Sequence, residues 1–410
     1  MKLLGVLLTT GALLADPYAT VAAHAAATPI QHVVVLMQEN RSFDSYFGHI
    51  HYEGQPHATP ERPNVGFHKT HYCEVADLNH SWNGTHQEID GGRMDGFMAA
   101  NQVPADPTGS RAMGWYDQTD LPFYYSLYST FAMGDHYFAS APTQTFPNRF
   151  YLLAGTSFGH IRNDLPDANG FAQRSVFNEL DEHHVTWKVY AAQYPLAIAF
   201  LFSYVRDHDG AKVVPYSDFA VDAAAGTLPQ VAFIDPIFTG PNNVENDEHP
   251  PSNVQVGEQF TASVISTLFG SPDWGSSALF LTYDEHGGFF DHAAPPPAVP
   301  PDDIPPMLQP GDTPGAFDMY GVRVPAVVVS PYARAHFVSH VVNDHTSILR
   351  FIEDDFGLGT LTRRDAAAND MREFFDFSHA TFATPPALPP APLNPAEVAY
   401  CASQPSNTFP

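Results

Sequence analysis

The chain has little cysteine, little lysine and little apolar sequence long enough to cross a membrane. Its 410 residues include two cysteines, Cys73 and Cys401, and four lysines. Forty-five acidic residues against 18 basic ones give a formal net charge of −27 at pH 7. A surface this acidic repels a phosphate backbone, so nucleic acid is excluded as an expected partner.

The N-terminus is the one strongly apolar stretch. An apolar run over residues 3–15 follows a single lysine, and it is shorter than the roughly 20 residues that span a bilayer. Small residues come next, with an A-x-A cleavage pattern at residues 23–25. The sequence therefore predicts a signal peptide over residues 1–25 and a secreted or periplasmic mature protein. In that oxidising environment we expect Cys73 and Cys401 to form a disulfide.

Composition excludes a chain that is disordered throughout, since hydrophobic residues make up 44% and aromatic residues 13%. Short apolar runs that are typical of buried strands alternate with amphipathic helical patterns. This alternation predicts an α/β/α sandwich, with a mostly parallel sheet that is covered on both faces. Strands are predicted at residues 33–37, 185–191, 230–234, 278–283 and 324–330, and the clearest helices at residues 257–269 and 345–356.

The domain organisation is predicted to be simple. We expect one catalytic domain over residues 26–380, because no internal repeat is visible in the sequence. Proline-rich stretches at residues 294–310 and 385–395 cannot continue regular elements and are expected to be loops. Residues 381–410 are then a proline-rich C-terminal tail, which the disulfide would hold near the segment that precedes His80.

Two predicted strands end on oxygen-bearing side chains. Glu39 and Asn40 follow the run "HVVVLMQ", and Asp284 and Glu285 follow "ALFLTY". Ligands of parallel sheets bind outside the carboxyl ends of the strands. Three carboxylates at one edge repel one another unless a cation lies among them, so the two pairs together predict a metal site. Each pair alone is as typical of a helix cap or a surface turn.

A hydroxyl nucleophile would have to lie near such a cation. The stretch "APTQTFPNRFYLLAGTS" offers Thr143 and Thr145 in a turn before a helical pattern. A helix N-terminus is suited to bind a phosphate group. A threonine in a turn is more often a cap or a turn residue, so these residues alone leave both candidates open.

Five stretches, in chain order, carry a family resemblance. They are "QENRSFDSYFG", "TFPNRFYLLAGTS", "NDEHPPSNVQVGE", "TYDEHGGFFDH" and "VPAVVVSPYA…DHTSILRFIEDDFGL". They resemble the signature blocks of the bacterial phospholipase C and acid phosphatase phosphoesterase family, which includes the plant non-specific phospholipases C. The match runs from about residue 30 to residue 358. The resemblance implies an alkaline-phosphatase-like fold and a hydrolase of phosphoric ester bonds.

The resemblance also implies the residues of the site. The family's metal ligands fall on Glu39, Asn40, Thr145, Asp284 and Glu285. Thr145 is selected over Thr143 as the nucleophile, because the family places it two residues before the proline of "PNR". The catalytic histidines fall on His80 and His249, and which of them is the general acid stays open. Positions beside the substrate or the ligands fall on His286, His292 and Asn148. Of these, His286 is expected to orient Asp284.

The implied chemistry is metal-dependent hydrolysis through a phosphorylated Thr145. Because every expected ligand is an oxygen, calcium, magnesium or manganese is favoured as the divalent metal ion, and zinc is also compatible. The favoured function is that of a phospholipase C, whose loop at residues 294–301 would make transient contact with a membrane surface.

Other readings stay open at this point. An acid phosphatase that hydrolyses phosphomonoesters would use the same catalytic centre with a different pocket. A secreted protein that holds a ligand in a metal-filled cleft without turning it over is an alternative of another class. The sequence does not predict an oligomeric state.

Overall fold

The computed structural model describes residues 26–50, 66–166, 170–241 and 243–404. The predicted signal peptide lies outside these residues. The strands are β1 (His32–Gln38), β2 (Phe67–His68), β3 (Gly114–Trp115), β4 (Ala132–Gly134), β5 (Trp187–Ala191), β6 (Val213–Pro215), β7 (Val231–Asp235), β8 (Ser277–Tyr283), β9 (Ala326–Val329) and β10 (Val338–Ser339). The α-helices are α1 (Phe43–Phe47), α2 (Trp82–Ile89), α3 (Phe97–Ala100), α4 (Pro122–Thr130), α5 (Thr145–Ala154), α6 (Val176–Glu182), α7 (Ser203–His208), α8 (Ser217–Ala225), α9 (Val254–Phe269), α10 (His345–Phe356), α11 (Arg363–Ala367) and α12 (Pro395–Ala402).

Eight of these strands form one sheet in the order β10-β4-β9-β8-β1-β7-β5-β6. Near its centre, β1 pairs in parallel with both β7 and β8. The pairs β5–β7, β5–β6 and β4–β10 are also parallel, whereas β9 is antiparallel to both of its neighbours. The sheet is therefore mostly parallel, as predicted.

Helices cover both faces of this sheet. Successive side chains of a strand point to opposite faces. The side chain of Gln38, at the end of β1, donates to the hydroxyl of Thr261 in α9 at 3.3 Å. The preceding Met37 lies instead with Leu152 of α5 around a small cavity. Every β1 residue after the first is buried, so both faces of this strand are covered by other parts of the protein. The predicted α/β/α sandwich is therefore confirmed.

The predicted elements agree with the observed ones except at some boundaries. The helix predicted at residues 257–269 begins earlier, at Val254, because the side chain of Asn253 caps it by accepting from the N–H of Gln255. The helix at residues 345–356 agrees with α10, which Asp344 begins with a capping box.

The C-terminal tail is tied to the body of the protein. Cys73 and Cys401 form the predicted disulfide, with their Cα atoms 5.7 Å apart. The tail is not loop throughout, since Pro395 stands in the first turn of α12, where the missing N–H of proline costs nothing. Tyr400 of this helix stacks on His71 at 4.0 Å between ring centroids.

Within the described ranges, none of the helices combines the length and the apolar character needed to cross a membrane.

Candidate active site

The residues that follow β1 and β8 lie side by side. The two strands pair so that Gln38 is opposite Tyr283. Beyond them, the N–H of Asn40 donates to Oδ1 of Asp284 at 3.1 Å, and the N–H of Arg41 donates to the carbonyl of Glu285 at 3.0 Å. Asn40 takes the left-handed conformation, with φ 61°, which asparagine tolerates better than most residues. The structure thus brings the two predicted ligand pairs to one buried edge.

Arg149 of α5 joins these two strand ends. Its Nη2 donates to Oε1 of Glu39 at 3.2 Å and to the carbonyl of Met37 at 3.0 Å. Its Nε lies 3.5 Å from Oδ2 of Asp284. Burial and the nearby charge of Asp284 nevertheless raise the pKa of Glu39 well above its ordinary value. Burial likewise raises the pKa of Asp284 to about 6. A single arginine does not offset the desolvation of both carboxylates.

Glu285 lies in a more cationic environment. Burial raises its pKa, but the neighbouring imidazoles of His80 and His286 outweigh burial, so the pKa is lowered overall. The N–H of Gly287 donates to its Oε2 at 2.7 Å.

Three buried oxygens at this edge have no hydrogen-bond partner among the described residues: Asn40 Oδ1, Asp284 Oδ2 and Glu285 Oε1. Thr145 Oγ1, at the start of α5, has none either. Buried acceptors are nearly always paired, so four orphaned oxygens on predicted ligands point to a missing partner. Carboxylate, amide and hydroxyl oxygens are the ligands that hard divalent cations prefer. These oxygens therefore fit a divalent metal ion, which Glu39 and these four residues would hold.

The two candidate threonines differ in what their hydroxyls do. Thr143 Oγ1 donates to the carbonyl of Ile161 at 2.5 Å. Thr145 is the first residue of α5 and is buried, with an unpartnered hydroxyl. Arg149 follows it by four residues and lies on the same face of α5. This relation links Thr145 to the carboxylates that Arg149 contacts.

The N-terminus of α5 offers a phosphate fewer free backbone N–H groups than its sequence suggested. The N–H of Phe146 already donates to Oδ1 of Asn163 at 2.8 Å, and Pro147 has no N–H. Asn148 is also occupied: its Oδ1 accepts from the N–H of Ala141 at 2.9 Å, and its Nδ2 donates to the carbonyl of Thr143 at 2.8 Å. Asn148 therefore holds the turn before Thr145 in place.

His80 and His249 lie together, with their rings perpendicular and their centroids 5.6 Å apart. Asp77 is beside both, at 3.8 Å from His80 Nδ1 and 3.9 Å from His249 Nε2. Nδ2 of Asn40 is 3.4 Å from His80 Nδ1, which connects the pair to the edge that carries the predicted metal ligands. Burial lowers the pKa of His249. For His80, burial acts in the same direction, but the charges of Glu285 and Asp77 outweigh it and raise the pKa.

His286 makes a different contact from the expected one. Its Nε2 donates to Oε2 of Glu88 at 2.7 Å, and its Nδ1 is 3.5 Å from Oε2 of Glu285. The carbonyl of Asp284 is instead contacted by Nε2 of His345 at 2.6 Å. The expectation that His286 orients Asp284 was therefore wrong, because the side chain of His286 points to the neighbouring carboxylate.

His292 lies in another network. Its backbone N–H and its Nδ1 both contact Oδ2 of Asp44, at 2.8 and 2.7 Å, and Arg323 adjoins it. The role of His292 at the substrate stays a prediction.

Sequence reasoning missed Arg149, Asp77, Glu88 and His345. A signal existed for Arg149, since it follows Thr145 by one helical turn in "TFPNR". The other three are brought to the site by tertiary packing, and no local pattern marks them.

A G-x-S-x-G pattern at residues 155–159 resembles the nucleophile elbow of serine hydrolases. That elbow needs a strand before the serine and a helix after it. Here the pattern follows helix α5, and Gly155 is the C-terminal cap of that helix with φ 69°. Ser157 therefore does not stand at an elbow.

Comparison with known proteins decides the family. A model described as the phosphoesterase family matches residues 30–359. The chain belongs to the phosphoesterase family. It is 31% identical over 394 residues to non-specific phospholipase C1 of Arabidopsis thaliana, covering 86% of this chain and 72% of that protein. It is 33% identical over 436 residues to phospholipase C B of Mycobacterium tuberculosis, covering 90% and 80%.

A solved structure of an alkaline phosphatase superfamily protein from Vibrio parahaemolyticus is similar with a TM-score of 0.40 and 9% identity, over 87% of this chain and 74% of that one. The family and its phospholipase relatives identify this phosphoesterase as a hydrolase that acts on phosphoric ester bonds. Its substrates are phosphoesters, and the orphaned oxygens of the site suit a divalent metal.

Proposed function

We propose that this phosphoesterase is a secreted phospholipase C that cleaves phospholipid headgroups through a phosphothreonine at Thr145. The observation that carries the proposal is the buried, unpartnered hydroxyl of Thr145, on the same helix face as the arginine that contacts Glu39 and Asp284. The names of the plant and bacterial relatives support phospholipid rather than phosphomonoester as the substrate.

The reaction has two displacements at phosphorus. In the first, Thr145 Oγ1 attacks, a P–O bond to Thr145 forms, and the P–O bond to diacylglycerol breaks. In the second, water attacks, a P–O bond to the water oxygen forms, the P–O bond to Thr145 breaks and a proton returns to Thr145 Oγ1, so the phosphorylated headgroup is released. The His80–His249 pair protonates the departing alkoxide and contacts phosphoryl oxygens. A divalent cation among the orphaned oxygens would lower the pKa of the Thr145 hydroxyl and offset charge on phosphorus-bound oxygen.

Product analysis tests the substrate. Vesicles of phosphatidylcholine should yield diacylglycerol and phosphocholine with the wild-type protein, and neither product with Thr145→Ala. Hydrolysis of p-nitrophenyl phosphate without any diacylglycerol would identify an acid phosphatase. No turnover of either substrate would leave a binding protein.

The stereochemistry of the reaction tests the covalent route. Two in-line displacements should return a substrate with chiral phosphorus to its original configuration. A single attack by water would invert the configuration and would contradict a phosphothreonine.

Calcium, magnesium or manganese is the proposed cation, and zinc is compatible with the same ligands. Dialysis against a chelator should abolish turnover, and adding back one of these ions should restore it. Full activity in a sample that contains no metal by elemental analysis would contradict the proposal.

Transient contact with a membrane surface is part of the proposal. The proline-rich loop exposes apolar side chains at Val299, Ile304 and Met307, which are 42, 45 and 45% exposed. Changing all three to serine should weaken binding to phosphatidylcholine vesicles in a flotation assay, while turnover of a water-soluble ester is retained. Equal binding by both proteins would remove this loop from the membrane contact.

A further inference from the structure

A pocket of about 380 Å³ is lined by two residues that adjoin proposed catalytic residues in the chain. They are Ser81, which follows His80, and Gln144, which precedes Thr145. The remaining lining residues are Trp82, Asn83, Arg162 and Asp312. Because two of its lining residues adjoin His80 and Thr145, this pocket is a candidate place for a group attached to the reacting phosphorus.

The segment that carries Arg162 is fixed relative to Thr145. The hydroxyl of Thr143 donates to the carbonyl of Ile161 at 2.5 Å, and the N–H of Asn163 donates to Oε1 of Gln144 at 3.2 Å. Oδ1 of Asn163 in turn accepts, at 2.8 Å, from the N–H of Phe146, the residue after Thr145. These bonds bracket Arg162 on both sides, so its backbone cannot shift without moving the turn that bears the nucleophile.

The pocket contains one charge of each sign. Arg162 and Asp312 form an ion pair. Asp312 also accepts from Asn83 at 3.4 Å and, through its other oxygen, from the N–H of Gln309 at 2.6 Å. Its side chain is 5% exposed and that of Arg162 is 29% exposed. The carboxylate is thus held rigidly, whereas the guanidinium is the member of the pair that a ligand can displace.

Resting on the proposed function, we propose that this pocket is the subsite for the headgroup of a zwitterionic phospholipid. In a phospholipase C reaction the headgroup stays on phosphorus through both displacements, so it needs room beside Thr145 after diacylglycerol has left. The fixed carboxylate of Asp312 would accept the headgroup cation in place of Arg162. An anionic headgroup is disfavoured by that carboxylate and by the net charge of −27. The volume falls in the range of small-molecule sites, about 300–1,000 Å³.

Two soluble substrates that share the same leaving group measure the effect of the headgroup on turnover. They are p-nitrophenylphosphorylcholine, which carries choline on phosphorus, and p-nitrophenyl phosphate, which carries none. The measured quantity is the ratio of kcat/KM for the choline diester to kcat/KM for the monoester. Asp312→Asn, which removes the charge with little change in shape, should lower this ratio at least tenfold. Arg162→Gln removes the cation that competes for Asp312 and should raise the ratio threefold or more.

Asp303→Asn is the matched control. Asp303 is 93% exposed and pairs with Arg363 outside the pocket, so its variant changes net charge by the same amount and should leave the ratio as it is. A constant ratio in both pocket variants, whether or not overall activity falls, would overturn the subsite. Failure of the wild-type protein to cleave any diester would overturn the proposed function and the subsite together. Cleavage of the diester with an unmoved ratio would overturn the subsite alone.

Discussion

Two clusters of buried carboxylates lie just beyond the carboxyl end of β1, and they differ in how completely their oxygens are paired. In the closed cluster, Asp44 and Asp291 surround Arg323. In the open cluster, Glu39, Asp284 and Glu285 adjoin Arg149. Both clusters are buried and both contain one arginine, so neither burial nor the presence of a cation distinguishes them.

Every carboxylate oxygen of the closed cluster has a donor. Asp44 accepts from Arg323 Nη2 at 2.9 Å and from His292 Nδ1 at 2.7 Å. Asp291 accepts from Arg323 Nε at 3.1 Å through either oxygen, and from the N–H of Asp44 at 3.1 Å. Such a network is complete without a ligand and holds α1 against the loop that follows β8.

The open cluster leaves Asp284 Oδ2 and Glu285 Oε1 without hydrogen bonds. A shifted pKa does not separate the two clusters, since burial raises the pKa of Asp284 and of Asp291 alike to about 6. The difference lies in the orphaned oxygens. Between these two clusters, incomplete pairing of buried acceptors, rather than burial or pKa, is the property that distinguishes the edge where a ligand is expected.

The largest expected effect concerns Thr145, the proposed nucleophile, which Arg149 links to the open cluster. We expect Thr145→Ala to lower turnover by at least about a thousandfold, because the covalent route is lost. The melting temperature should hardly change, since the hydroxyl makes no hydrogen bond among the described residues. Steady-state kinetics and thermal melts check both statements.

Thr143→Ala is the control for that variant. It removes the bond to the carbonyl of Ile161 and should cost about 1 kcal/mol of stability, with most of the turnover retained. If Thr145→Ala kept an appreciable share of wild-type turnover, a water molecule would be the nucleophile instead.

The next largest effect is a loss of stability, expected when the closed cluster loses its arginine. Arg323→Gln leaves two buried carboxylates without their cation and should lower the free energy of unfolding by about 3–5 kcal/mol. Turnover per folded molecule should stay close to that of the wild type, because Arg323 contacts none of the proposed metal ligands. Arg149→Gln, the equivalent change in the open cluster, should act more on turnover than Arg323→Gln does. Equal losses of turnover in the two variants would remove the distinction between the clusters. Urea unfolding and kinetics on the same samples provide the measurements.

The sequence predicted the sheet well where strands are long and fully buried. The runs that became β1, β5, β7 and β8 read as continuous apolar stretches, as central parallel strands do. The direction of β9 was not predictable, because an apolar run does not encode whether its partner runs parallel or antiparallel. The strands β4, β6 and β10 have two or three residues each and are too short to produce a pattern.

The site was predictable to the extent that it is local in sequence. Glu39, Asn40, Asp284 and Glu285 each follow a buried strand, and strand ends of a parallel sheet meet. Glu88 reaches His286 across 198 positions of the chain. Contacts of this kind depend on how helices and loops pack, and no spacing in the sequence predicts them. For the same reason the closed and the open cluster cannot be told apart before their hydrogen bonds are known.

A smaller effect concerns the tail. The disulfide between Cys73 and Cys401 closes a loop across 328 positions, so its reduction should lower the free energy of unfolding by about 2–5 kcal/mol. Denaturant titrations with and without a reductant measure the loss. A Cys73→Ser/Cys401→Ser double variant should match the reduced protein and should not respond to the reductant. Two free thiols in the unfolded, unreduced protein would contradict the pairing.

Glu248 provides a third case, a buried carboxylate that is fully paired but only by neutral donors. It accepts from the hydroxyls of Tyr46 and Tyr124, and from that of Tyr283 at 3.0 Å. Arg41 donates to its backbone carbonyl at 2.6 Å rather than to its carboxylate. Burial raises the pKa of Glu248 to about 7, because these hydrogen bonds favour the charged form less than desolvation disfavours it.

The smallest expected effect follows from that pKa. A carboxyl group whose folded-state pKa is raised stabilises the fold most when protonated, so its contribution is complete below the unfolded pKa of about 4.3 and is lost as pH rises through about 7. Between pH 5 and pH 8, the free energy of unfolding of the wild type should therefore fall more than that of Glu248→Gln, by up to about 3 kcal/mol. Urea titrations of both proteins at each pH give the difference. Glu182→Gln, at an exposed position on α6, is the control and should parallel the wild type. A constant difference between wild type and Glu248→Gln across this range would mean that neutral donors stabilise the buried charge as well as a cation does, and the pairing of oxygens alone would then decide how a buried carboxylate behaves.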